Sequence, residues 1–287
     1  MNQSTREQTD NEPRVLRGYH AVVTGASSGI GRAISLAFAA AGCEQVLVHF
    51  NRNRVSADET ASRVKAFGSQ ALLDQCDFAD ADAATAFVDR AFEKMPRIDT
   101  WVHCAGADVL TGDAASWSFE QKLQRLIDVD LLGSILAGRA VGTRMRDQSQ
   151  AALGQARNDS LEPVVSPALL FIGWDQATEG MEGDAGQMFS PVKAGIEAFG
   201  KSLAQELAPH VRVNTLAPGW IKTAWGATTS DYWNQRALDQ SLMARWGRPE
   251  DVAAAAVFLA SPAGSFISGH TLPINGGWSR RYDRREA

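Results

Sequence analysis

From Tyr19 onward, short runs that are apolar on both faces alternate with longer stretches in which apolar residues recur every three or four positions. HAVVTGA (20–26), QVLVHF (45–50), QALLDQCD (70–77), IDTWVHCAG (98–106), ALLFIG (168–173) and VRVNTLAPG (211–219) predict strands, and HTLPING (270–276) closes the series. Between them the periodicity predicts helices over Gly29–Ala41, Ala57–Phe67, Ala81–Met95, Phe119–Arg146, Phe189–Leu207 and Pro249–Leu259. Strands without a polar face belong to a parallel sheet covered on both sides, and helical crossovers of this length are right-handed. The expected fold is α/β, a single-domain, doubly wound parallel sheet of about seven strands.

Two stretches break the rhythm. Residues 147–167 read as a long polar connection, and residues 220–247, rich in Trp and polar residues, read as a mobile flap over a pocket. The polar segment 1–17 has no apolar stretch of the signal-peptide kind and is expected to be a disordered arm ahead of one domain over 18–287.

The end of the first strand carries the first chemistry. In TGASSGIG (24–31), Gly25, Gly29 and Gly31 let the backbone turn tightly and approach a pyrophosphate. Ser27, Ser28 and Ile30 lie in the same turn, and the helix that follows offers its unpaired N–H groups to the anion. Strand, glycine turn and helix in one βαβ unit make this a Rossmann-type dinucleotide site. An acid on the ribose 2′-OH would mark NAD, but the second strand ends in Asn51-Arg52-Asn53-Arg54. Arg52 can face a 2′-phosphate and stack on adenine, so NADP (NADPH) is expected over NAD. Asp77, beside Phe78, can reach the adenine amino group, and the small residues of Cys104-Ala105-Gly106 allow close approach of the ribose. His103 reads as scaffold.

With FSPVK at 189–193, GRPEDVA at 247–253 and SGHTLPINGG at 268–277, these motifs stand in one order along residues 18–278. The chain thereby resembles the short-chain dehydrogenase/reductases, and most of all their 3-oxoacyl-[acyl-carrier-protein] reductase-like and pteridine-reductase-like branches. The resemblance implies contacts from Pro218, Gly219, Ile221 and Thr223 to the cofactor. It also implies a catalytic Asn, Ser, Tyr and Lys. The Lys maps to Lys193, the Tyr to Phe189, the Ser to Trp174 or Asp175, and the Asn to Asp130. Three of the four positions have changed. Asp175, Tyr232 and Lys193 are the alternative proton donors. Trp174 either turns inward or packs under the flap with Trp220 and Trp225. The reading is an NADP(H)-dependent oxidoreductase for a carbonyl or hydroxyl substrate with a non-standard proton donor. The alternative is an inactive NADP(H)-binding pseudoenzyme or scaffold.

Composition narrows this only a little. The 287 residues carry a net charge of −5, with 45% apolar and 21% charged residues, which argues against nucleic-acid and membrane partners and for a small-molecule substrate. Cys43, Cys76 and Cys104 show no metal-ligand or CxxC spacing, so reduced thiols, no metal and a cytoplasmic setting are expected. The resemblance implies a homo-oligomer, a tetramer or dimer, built through the helices at 119–146 and 189–207 and the last strand.

Overall fold

The computed structural model describes residues 14–156 and 165–278. Its centre is one sheet of seven parallel strands in the order β3-β2-β1-β4-β5-β6-β7. The strands are β1 (His20–Val23), β2 (Gln45–Phe50), β3 (Gln70–Gln75), β4 (Thr100–His103), β5 (Ala168–Ile172), β6 (Arg212–Pro218) and β7 (Thr271–Ile274). The helices are α1 (Gly29–Ala40), α2 (Arg54–Ala66), α3 (Ala81–Lys94), α4 (Phe119–Leu126), α5 (Ser134–Ala156), α6 (Gly183–Leu207), α7 (Ala224–Thr228), α8 (Asp231–Gln240) and α9 (Pro249–Ala260). The doubly wound architecture expected from the periodicity is the one observed.

Alternation along each strand builds two cores. Val23, Val46, Val48, Val102, Leu170 and Leu216 face α1, α2 and α9, where they meet Ile34, Phe38, Val64 and Leu259. Val22, Leu47, Trp101, Leu169, Phe171 and Val213 face α3, α5 and α6, where they meet Phe87, Val141, Met145 and Leu203. All these side chains are buried. The strand order reverses between β1 and β4, so their carboxyl ends diverge into a crevice, the place where open α/β sheets bind ligands.

Several boundaries differ from expectation for identifiable reasons. Residues 1–13 of the expected arm lie outside the described residues, but Arg14–Arg17 form a turn whose Leu16 is fully buried and donates its N–H to Ala41 O at 2.9 Å. The second helix starts at Arg54, not Ala57, because Asn53 caps it by accepting the Ser56 N–H at 2.9 Å. The helix from Phe119 does not stop at Arg146. It passes through a π-helical run, Ile127–Gly133, and continues to Ala156. Gln148 anchors this extension by accepting the Ile98 N–H at 2.8 Å and donating to the Ile98 carbonyl at 3.1 Å. Much of the expected 147–167 loop is therefore helix, and 157–164 lie outside the described residues. The helix carrying Phe189 begins six residues earlier, at Gly183. Within the flap, α7 and α8 enclose a cluster in which Trp220 lies 6.2, 5.7 and 6.0 Å from the rings of Trp225, Trp233 and Trp246.

Arg212 is a buried cation without a carboxylate partner among the described residues. Its guanidinium donates to the Leu259 and Gly264 carbonyls at 2.6 and 2.9 Å, and to Ala260 and Ser166 at 3.3 and 3.2 Å. It thus neutralises the negative end of α9 and fastens that helix to the sheet. Replacing Arg212 with Met orphans these carbonyls and is expected to lower unfolding free energy by about 3 kcal/mol in urea denaturation.

Candidate active site

The glycine turn follows from close packing. A Cβ on Gly25 would lie 2.8 Å from Cys104 O, and one on Gly31 only 2.3 Å from Gly25 O. Gly29 differs: its φ of +51° is left-handed, and above it the nearest atom to a Cβ is Thr223 Cγ2 at 3.7 Å. The side chain of Ser28, at the N-cap of α1, makes no capping bond, so the first N–H groups of that helix are unclaimed by it. A cradle open over a free helix N-terminus fits a pyrophosphate. Thr223 and the largely buried Ile221 close it from the β6 side.

Side chains not singled out as site residues from the sequence hold the turn in place. His49, buried at the end of β2, accepts the Gly25 N–H on Nδ1 at 3.0 Å and pairs Nε2 with the Cys76 carbonyl at 3.1 Å. Those partners require the tautomer with the proton on Nε2. Arg32 donates to Ser27 O at 2.7 Å, to Ser56 O at 3.0 Å and to Thr60 Oγ1 at 2.9 Å, tying the turn to α2. Thr24 Oγ1 accepts the N–H groups of Cys104 and Ala105, each at 2.9 Å, and so joins the ends of β1 and β4. The signal available for His49 was one polar residue inside an otherwise apolar strand.

Around the adenine end, Arg52 is exposed and its guanidinium has no ion-pair or hydrogen-bond partner among the described residues. Arg54 pairs with Asp58 at 3.0 Å, and Asn53 is occupied as the α2 cap. Asp77 accepts the Ala79 N–H at 3.0 Å and pairs with Arg125 of α4 at 3.2 Å. Partial burial pushes its carboxyl up, but those partners and a bond from Asn51 outweigh it and hold the group below the ordinary Asp range. Phe78 packs edge-on to His103, with centroids 4.7 Å apart.

At the crevice floor the structure joins two of the candidate catalytic residues. Lys193 Nζ lies 2.9 Å from Asp130 Oδ2 and donates to the Ile172 carbonyl at 3.3 Å. Asp130 Oδ1 accepts the Ala107 N–H at 2.7 Å. Asp130 is buried, and Gly106 leaves it room, since a Cβ there would sit 3.0 Å from Oδ2. The π-helical run gives this short segment a wider turn, a feature often found at functional sites. Gly133 at its end packs so close that a Cβ would fall 2.5 Å from Phe78 O.

Trp174 and Phe189 meet edge to face, with ring centroids 6.3 Å apart. Trp174 is not one of the rings clustered around Trp220. Its backbone N–H donates to the buried Glu197 at 3.3 Å, and burial raises the Glu197 carboxyl. Asp175 turns towards the carboxyl ends of β6 and β7. Its Oδ2 accepts from Asn275 Nδ2 at 3.0 Å, and a Cβ on Gly219 would lie 2.9 Å from that oxygen. The Asp175 N–H donates to the Pro218 carbonyl at 3.2 Å. Burial pushes the Asp175 carboxyl up to about 6, against the pull of Asn275. Tyr232 is exposed on α8, with its phenol oxygen accepting from Arg236 at 3.3 Å. Arg236 in turn pairs with Glu182 just before α6 at 2.9 Å, so the flap is clasped to the helix that bears Lys193.

His103, under the end of β4, is buried with both ring nitrogens unpartnered among the described residues. Burial lowers its pKa to about 3, and that of His49 to about 4. Unfolded imidazoles take up protons near 6.5, so between about pH 6.5 and 3 the unfolded chain binds more protons. Both residues therefore contribute stability above pH 6.5 that is lost as pH falls through this window. Replacing His103 with Phe removes an unsatisfied polar ring and is expected to stabilise the fold by about 1 kcal/mol at pH 7. Denaturation from pH 7 to 4 should also show a shallower loss of stability in this variant.

A family model described as enoyl-(acyl carrier protein) reductase matches residues 25–279. A 3-oxoacyl-[acyl-carrier-protein] reductase of Synechocystis sp. is 35% identical over 262 residues, covering 90% of this chain and 95% of that protein. Among solved structures, 7α-hydroxysteroid dehydrogenase complexed with NADH and 7-oxo glycochenodeoxycholic acid superimposes with a TM-score of 0.77 at 26% identity, over 93% of this chain and 96% of that one. A short-chain dehydrogenase of Burkholderia cenocepacia in complex with NADP gives 0.76 at 25% identity, over 91% and 98%. Glycine turn, sheet order and these likenesses together mean that the chain belongs to the short-chain dehydrogenase/reductase family, on its 3-oxoacyl-[acyl-carrier-protein] reductase-like side.

Proposed function

We propose that the protein is an NADP(H)-dependent oxidoreductase interconverting a carbonyl and a hydroxyl on a small molecule, with a catalytic site that has lost the family's tyrosine. The observation that carries this reading is the placement of Lys193 Nζ, held by Asp130 and Ile172 O in the crevice that the glycine turn opens. A lysine buttressed in this way, beside a cradle that fits a dinucleotide, matches what hydride transfer asks of the protein: binding, orientation and electrostatics.

Relatives of similar fold carry NADH in one case and NADP in another. The choice for this chain rests on Arg52, a free cation at the end of β2 where an NAD site would carry an acid. Gly25, Ser27, Ser28, Gly29, Ile30 and Gly31 would hold the pyrophosphate, and Asn51 and Arg52 the adenosine end. Cys104, Ala105, Gly106 and Lys193 would take the ribose next to the nicotinamide, with Pro218, Gly219, Ile221 and Thr223 on the other side. When bound, the cofactor supplies or accepts the hydride.

One observation favours a second reading, an NADP(H)-binding protein without turnover. Phe189 and Trp174 bring two apolar rings together, the first where the family resemblance expects Tyr and the second at one of the two positions, 174 or 175, where it expects Ser. The reading as an active enzyme is preferred because Lys193 and the buried Asp130 stay paired at 2.9 Å beside those rings. We further propose a homo-oligomer working in the cytoplasm, with Leu132, Leu136 and Phe266, all exposed in the single chain, at its interfaces. The partner is a small molecule, not nucleic acid or membrane. Among the described residues no helix is long and apolar enough to cross a membrane.

Quenching of the tryptophans tests the cofactor assignment. NADPH should bind more tightly than NADH, and Arg52→Ala should weaken NADPH about ten- to a hundredfold while leaving NADH unchanged. Equal affinity for both cofactors would contradict the assignment.

A further inference from the structure

We propose that Lys193 itself delivers the proton to the substrate oxygen, with Asp130 as the residue that positions it; this rests on the oxidoreductase reading above. Three side chains were open as replacements for the missing phenol, and geometry separates them. Asp175 has one carboxylate oxygen bonded to Asn275 and the other sealed from solvent without a partner. Tyr232 is exposed on the flap, its oxygen engaged with Arg236 and its ring set edge-on to Trp233 at 5.0 Å. Lys193 is different. Its side chain is 14% exposed, and two of its three N–H groups go to Asp130 and Ile172 O, so among the described residues one proton is left without a protein acceptor.

Phe189 lies one helical turn before Lys193 on the same face of α6, and Trp174 meets Phe189 edge to face. The ring at the tyrosine position therefore bears no hydroxyl to stand between the ammonium and a bound carbonyl. In water a lysine ammonium and a phenol differ by only about half a unit in acidity, so the exchange of donor needs no new driving force. Asp130 has both oxygens bonded, to Ala107 N–H and to the ammonium, and so fixes where Nζ sits. The other titratable groups near Nζ are Glu197 on the same helix and Cys104 and His103 at the end of β4.

The step balances. As the carbonyl carbon gains a hydride from a reduced nicotinamide dinucleotide, the carbonyl π pair moves to oxygen. That oxygen takes a proton from Nζ, the N–H bond breaks and the O–H bond forms. The resulting amine recovers its proton from water, and Asp130 remains a carboxylate throughout.

Lys193→Arg keeps a cation opposite Asp130 but cannot act as an acid, because a guanidinium does not give up its proton in proteins. Wild type, Lys193→Arg, Asp130→Asn and the double variant Lys193→Arg/Phe189→Tyr are compared. NADPH binding is read by tryptophan quenching, and NADPH oxidation with acetoacetyl-coenzyme A and with cyclohexanone as carbonyl probes. Wild type should oxidise NADPH with at least one ketone. Lys193→Arg should still bind NADPH, up to about tenfold more weakly because Lys193 also faces the ribose, yet turn over about 10²- to 10⁴-fold more slowly once cofactor is saturating. Phe189→Tyr should recover part of that loss, and Asp130→Asn should lower kcat without raising the KM for NADPH. The proposal is overturned if Lys193→Arg matches wild type, or if excess NADPH alone recovers its rate. NADPH bound without reduction of either ketone also overturns it. Failure of wild type to bind NADPH at all is a separate result and removes the oxidoreductase reading itself.

Discussion

The pair between Lys193 and the buried Asp130 is the contact on which the site depends. At 2.9 Å it draws together α6, the π-helical run before α5, the segment after β4 through Ala107 N–H, and the end of β5 through Ile172 O. Two charges removed from water are expensive unless their remaining valences are met. Here both carboxylate oxygens and two ammonium protons are met. Truncating either partner leaves the other charge without its counter-ion.

That pair sits where the fold leads it. Parallel strands buried on both faces force their connecting helices to alternate sides, and the reversal between β1 and β4 opens the crevice. Close packing then makes glycine obligatory at Gly25 and Gly31, while the open space above Gly29 is what an anion can use. His49 and Arg32 hold the turn without reaching into that space. The Glu182–Arg236 clasp and the tryptophan cluster around Trp220 fasten the flap to the same helix that bears Lys193. Trp220 has its neighbours among the flap's own rings, which makes the cluster the core of the flap.

The strands were legible because Val, Leu and Ile runs such as QVLVHF and ALLFI carry no polar face, which only a sheet covered on both sides explains. Helix starts were less legible. The Arg-Val-Ser segment at 54–56 and the glycines at 183 and 186 look like loop, and local contacts override them: Asn53 caps one helix, and Gly186 lets the other pack against Met181 O. The extension to Ala156 was hidden because its anchor, Gln148, bonds to a backbone 50 residues away. Within the site, Lys193, Asp130, Phe189 and Trp174 were visible as positions. Their pairing was not, because it depends on the π-helical run and on the space beside Gly106, neither of which has a one-dimensional signature. Asn275, which donates to Asp175, was hidden for the same reason.

Nitrogen-15 NMR of the lysine side chains tests the central contact most directly. An ammonium held by two hydrogen-bond acceptors exchanges its protons slowly, so Lys193 should give an observable Nζ–H₃ signal at neutral pH that is lost in Asp130→Asn while the fold's amide spectrum persists. A Lys193 signal that is absent from the wild type, or that survives Asp130→Asn unchanged, would contradict the account.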